Sequence, residues 1–215
     1  MLDRIQEHLE AIYGLRCEYR ARDFLVDSET ARALGGTGRS REELLVSQSH
    51  DGENLDLALY LEPSLLKRVT SFESHPDEAL DGGELAGFCE VAEGVSHFVY
   101  LTQTAGLERT VSLLELEAQA EVDKFAICLL MRWGRDGAAW ATSLAGRLFQ
   151  RVRFNEQLTP DERWRYVEAN RLAQAYVGRL MRHVREGQLE RLLGELRHAY
   201  RLGAEAKLQY FARVR

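Results

Sequence analysis

The chain has 215 residues, is 45% hydrophobic and 29% charged, and carries a formal net charge of -6, the usage of an ordinary globular chain large enough to bury a sizeable core. Its three cysteines, Cys17, Cys89 and Cys128, are far apart and form no CxxC, which argues against a disulfide framework or zinc ribbon and for a reducing, cytoplasmic setting. The acidic start MLDRIQEHLE does not have the pattern of a signal peptide, and the longest apolar run, FAICLLM, is far short of a membrane span.

In chain order, Leu2, Ile5, Leu9, Ile12 and Tyr13 recur at helical spacing and predict an amphipathic first helix over 2–19. Residues 23–26 read as a short strand, followed by a small helix near 28–34. The loop Gly35-Gly36-Thr37-Gly38 lacks the lysine and spacing of a Walker loop and reads as a plain connection. Leu55, Leu57, Leu59 and Leu61 alternate with Asp56, Ala58, Tyr60 and Glu62, the period of a half-buried strand. With EELLVSQS before it and the turn formers His50–Asn54 between, this segment predicts a β-hairpin over 42–62. Pro63 suits the first position of a short helix. The loop-like segment 71–83 then places a boundary near 76/77, between a small α+β portion (1–76) and a helical remainder (77–215).

From residue 84 strand patterning disappears. Helices are expected over 84–103 and over 113–132, the second opening with the capping box Ser112-x-x-Glu115. Further helices are expected over 138–153, from Thr159-Pro160-Asp161-Glu162 to about Val184 with Trp164, Val167, Leu172, Tyr176 and Leu180 inward, and from Gln188 to the end. The fold class is therefore α+β, mainly α: an N-terminal portion with a β-hairpin, then an antiparallel bundle of about five helices.

Charge is uneven along the chain. Residues 1–131 hold 11 basic and 25 acidic side chains, residues 132–215 hold 17 and 9, and only Lys67, Lys124 and Lys207 are lysines. Any cationic patch is an arginine patch, suited to bidentate carboxylate or phosphate contacts. Arg147 with Arg151, and Arg179 with Arg182, are its candidate members.

Charge falls inside an apolar pattern only in the pair of helices at 84–131. Glu90, Glu93 and His97 form one stripe, and Glu117, Glu121 and Lys124 another. If the stripes meet, Glu93, His97, Glu117, Glu121 and Lys124 are candidates for acid/base chemistry, and Glu90, Glu93, His97, Glu117 and Glu121 for metal ligation. The spacing is Glu-x-x-x-His, once, not the paired Glu-x-x-His of di-metal bundles. No HExxH, GxSxG or paired Cys–His signature is present. The sequence names no cofactor. The leading expectation is a cytoplasmic interaction or regulatory protein that recognises a protein partner, or itself, through charged helical faces. The alternatives are a hydrolase or metal-dependent enzyme on the Glu/His/Lys seam, and nucleic-acid binding by the C-terminal arginines.

Overall fold

The computed structural model describes residues 1–48, 55–67, 80, 82–105, 109–134, 137–152 and 154–213. The expected turn at 50–54 and the expected boundary at 76/77 lie outside the described residues. Contacts divide the chain into two compact units: Met1–His8 with Arg16–Glu108, and Leu9–Leu15 with Arg109–Arg215. Helix and a three-stranded sheet make the fold α+β and mainly α. Among the described residues, no helix is long and apolar enough to cross a membrane.

In the first unit, helix α1 (Leu2–Tyr13) supplies buried Ile5 and Gln6. The Gln6 amide is satisfied locally, donating to Tyr19 O at 2.8 Å and accepting from Ala21 N at 2.9 Å, so its burial carries no unpaired polar group. A 3-10 turn (Ala21–Phe24) leads into β1 (Leu25–Val26), and α2 (Ser28–Ala33) starts on Asp27, which accepts from Thr30 N. The glycine loop after α2 holds Gly35 and Gly38 at positive φ, where glycine is favoured. The Glu43 carboxylate accepts from Thr37 N at 3.0 Å, so this loop already holds an anion of its own.

Strands β2 (Glu42–Gln48) and β3 (Leu55–Leu61) pair antiparallel, with Glu42 opposite Leu61. The sheet order is β1-β3-β2, with β1 parallel to β3 (Leu25 opposite Leu59). That parallel pair was not legible: it is a non-local match made by two residues, reached over a crossover that includes α2. Burial along β3 is graded, with Leu59 and Leu61 in the core and Leu55 exposed. Helix α3 (Leu85–Ala105), which the sequence grouped with the later helices, lies in this unit against β2 and β3. Phe88, Val91, Ala92, Val95, Phe98 and Val99 are buried, with Phe98 packed on Phe24. A helix apolar on so many faces belongs in a core.

In the second unit, Leu9, Ile12 and Tyr13 of α1 are buried with α4 (Leu113–Met131) and α6 (Pro160–Arg185), whose mutual packing is the most extensive of the unit. The α6 start has the Thr159 N-cap and first-position proline expected, and forms a full capping box, with Thr159 Oγ1 accepting from Glu162 N and Thr159 N donating to Glu162 Oε2. Its first turns depart from the expectation: Trp164 and Val167 are exposed, and the buried stripe begins at Ala169. The helix expected over 138–153 is α5 (Gly137–Ala145) followed by a π turn (Gly146–Gln150).

The expected final helix is two, α7 (Leu189–Tyr200) and α8 (Ala204–Ala212), broken at Gly203. Glycine is a poor helix residue, and the break resets the helical phase of residues 204–212. Lys207 and Phe211 turn inward and are fully buried.

Candidate functional site

The stripe on α3 has two parts. Glu90 accepts from Arg41 Nη1 at 3.2 Å, and Arg41 also donates to Glu62 at 2.7 Å and to Ser64 at 3.3 Å. Glu90 is therefore tied into an ion-pair network with the start of β2 and the end of β3. One turn on, Glu93 and His97 share a face at i,i+4, with carboxylate and imidazole ligand atoms within 4.8 Å of each other. His97 is 7% exposed, and its Nδ1 lies 3.8 Å from Glu42 Oε1. Gly94 makes that approach possible: a Cβ there would stand 2.8 Å from Glu42 Cγ and 3.0 Å from Leu59 Cδ1.

The α4 stripe is paired within its own unit. Glu117 lies 3.4 Å from Arg165 Nε, and Lys124 donates to Glu121 at 2.9 Å, the i,i+3 pair its spacing predicts.

A second polar row on α4 was missed. Glu115, Gln119 and Asp123 recur at i, i+4 and i+8, and each is at most 1% exposed. Gln119 Nε2 donates to Asp123 Oδ1 at 2.7 Å and to the Tyr13 hydroxyl at 3.1 Å, and Tyr13 in turn donates to Asp123. Lys207 Nζ donates to Gln119 Oε1 at 2.9 Å and stands 3.7 Å from Glu115, which also pairs with Arg109. Tyr200 stacks on Tyr13 and lies under the Lys207 ammonium.

Burial pulls the Lys207 amine well below the ordinary lysine value, with the Arg109 charge adding to it. Burial and then the Asp123 charge push the Tyr13 phenol well above its own. Side chains this deep meet one another and not a solute, so the network ties helices together. Its signal was present in the spacing 115/119/123, which puts the three side chains on one face of the helix.

The groove of the second unit is different in kind. It encloses about 620 Å³ between α6, α7 and α8, with Tyr176 and Leu180 as floor and Arg179, Arg182, Arg185 and Arg213 around it. Arg179 is structural as well as cationic: it donates to Phe211 O at 3.0 Å and to the carbonyls of Tyr210 and Arg213, closing the α8 C-terminus. Burial lowers its pKa from the usual arginine value. Glu195, the acidic residue of the lining, accepts from the Tyr210 hydroxyl at 2.6 Å. Arg182 and Arg185 are exposed.

No family, curated protein or solved structure gives a significant match to this chain.

Of the expected arginines, the structure brings Arg179 and Arg182 together at the groove and adds Arg185 and Arg213. Arg147 lies in the π turn and Arg151 ends it, so this pair does not line the groove. Neither Arg185 nor Arg213 is among the candidate patch members read from the sequence. Their convergence depends on the α8 C-terminus folding back to Arg179.

Proposed function

We propose that the protein is a cytoplasmic interaction protein, and that the groove of its second unit receives an acidic segment of a partner protein. The observation that carries this reading is four arginines around one half-apolar groove whose lining carboxylate already accepts a hydrogen bond. A volume near 620 Å³ lies within the range of about 300–1,000 Å³ typical of ligand sites. Guanidinium rims favour carboxylates, steering encounter and fixing register. A nucleic acid would want an open aromatic face for its bases. In this groove Tyr176 is buried and the Tyr210 hydroxyl is held by Glu195, which favours the protein partner. The free cysteines Cys17, Cys89 and Cys128 support the reducing compartment.

The test is titration of the full chain with a fluorescent peptide rich in Asp and Glu and carrying one aromatic residue. Binding should weaken as salt rises and fall at least tenfold in Arg182→Glu/Arg185→Glu. A single-stranded oligonucleotide bound more tightly, and lost in the same variant, would replace the protein-partner reading with the nucleic-acid one. Equal binding by wild type and variant would remove the groove from consideration.

A further inference from the structure

We propose that Glu93 and His97 of the first unit bind a divalent transition-metal ion, with Glu42 as the outer carboxylate that orients the imidazole. This rests on a different unit and a different ligand from the acidic-segment groove.

The two donors stand on successive turns of α3 with their ligand atoms within 4.8 Å of each other. Two bonds of about 2.0–2.2 Å to one ion reach across a donor separation of up to roughly 4.4 Å, close to that bound. Nδ1 of His97 lies 3.8 Å from Glu42 Oε1, an ion-pair distance rather than a hydrogen bond, and both side chains are about nine-tenths buried. Nε2 points to the other side of the ring and is the donor assigned to the ion. A carboxylate behind a ligating histidine fixes ring orientation and tautomer and raises the basicity of the metal-facing nitrogen.

The independent observation is Gly94. It lies between Glu93 and His97 in the same helix, and a Cβ there would meet Glu42 Cγ at 2.8 Å and Glu42 Oε1 at 2.9 Å. A glycine in a helix interior costs about 1 kcal/mol relative to alanine. What the chain obtains for that cost is close approach of a buried carboxylate to the imidazole. Strand β2 supplies Glu42 at its first position, held in register by pairing with Leu61 of β3.

One imidazole and one carboxylate, with water completing the shell, suit the series from Mn²⁺ to Zn²⁺ more than Mg²⁺ or Ca²⁺, which prefer all-oxygen sets. Within that series Zn²⁺ should bind more tightly than Mn²⁺.

The experiment uses the full chain, purified without a histidine tag and stripped with chelator. Zn²⁺ is titrated calorimetrically, and Co²⁺ is followed by its visible absorption. One equivalent of each should bind, with a Co²⁺ spectrum distinct from that in buffer. Affinity should fall at least tenfold in Glu93→Gln and in His97→Gln, and by about 10–100-fold in Glu42→Gln, the usual range for an outer-shell carboxylate. Far-ultraviolet circular dichroism verifies that each variant is folded, and Glu93→Gln, at the less buried position, keeps the test decisive if His97→Gln unfolds. A Co²⁺ spectrum identical to that in buffer overturns the proposal. So does binding that Glu93→Gln leaves unchanged.

Discussion

Lys207 Nζ donates to Gln119 Oε1 at 2.9 Å, joining residues 88 positions apart in a part of the second unit where neither side chain is more than 1% exposed. A lysine so placed loses the solvation of its charged form, and Glu115, Gln119 and the Tyr200 ring compensate for part of that loss. Its pKa falls well below 10.5, the ordinary value, chiefly through burial. Between that lowered value and 10.5 the unfolded chain binds the proton and the folded one does not, so stability rises with pH across the window. Lys207→Met should cost about 1–3 kcal/mol near neutrality, by stranding Gln119 Oε1 and weakening the hold on Glu115. Across that window, urea denaturation should show the wild-type midpoint gaining on the variant's as pH rises. Parallel profiles would show that the amine is not desolvated.

Tyr13 acts in the opposite sense. Its phenol is held protonated by burial and by the neighbouring Asp123 carboxylate, well above the ordinary 10.0. The stability this confers is complete below pH 10.0 and is lost as pH rises through the folded value. Tyr13→Phe removes a hydrogen bond to a buried carboxylate and should cost about 1.5–3 kcal/mol. The alkaline loss should also shrink in the variant. A phenolate absorbance titration reads the same group, which should ionise only as the protein unfolds.

Gly94→Ala sets two effects against each other. The helix gains about 1 kcal/mol from the better propensity, and the crowding against Glu42 and Leu59 costs about 1–3 kcal/mol. A net loss is expected, because Glu42 Cγ sits near its backbone and has little room to move. In a Glu42→Ala background the same change should cost less, because only the Leu59 contact remains. A substitution harmless in both backgrounds would mean that the strand and the helix do not approach as described.

Trp164 gives a prediction that separates sequence pattern from structure. It is 62% exposed, so Trp164→Ala should change stability by no more than about 0.5 kcal/mol. A buried tryptophan would cost about 3–5 kcal/mol. Iodide quenching of tryptophan fluorescence should drop in the variant, since the most accessible indole is then absent.

Much of the architecture was legible because it is local. Period 2 in β3, the Thr159–Glu162 cap and the amphipathic spacing of α1 each act within a few residues, and each is present. The candidate site was legible only as a set of residues sharing a helix face. Glu90, Glu93 and His97 do share one, yet the structure gives Glu90 to Arg41 and sets His97 beside Glu42, a residue no helical periodicity could nominate.

The sequence by itself determined where most helices and strands begin, the excess of arginine in the C-terminal part and the polar interruption of α3. Those depend on backbone preference, capping and side-chain charge, which need no distant partner. Tertiary structure alone decided the partners: β1 beside β3, Lys207 beside Gln119, Glu42 against Gly94 and Arg179 on the end of α8. Each depends on chain reversals that bring distant residues within hydrogen-bonding or van der Waals range. A small rotation, such as the break at Gly203, is enough to change which side chain faces the core.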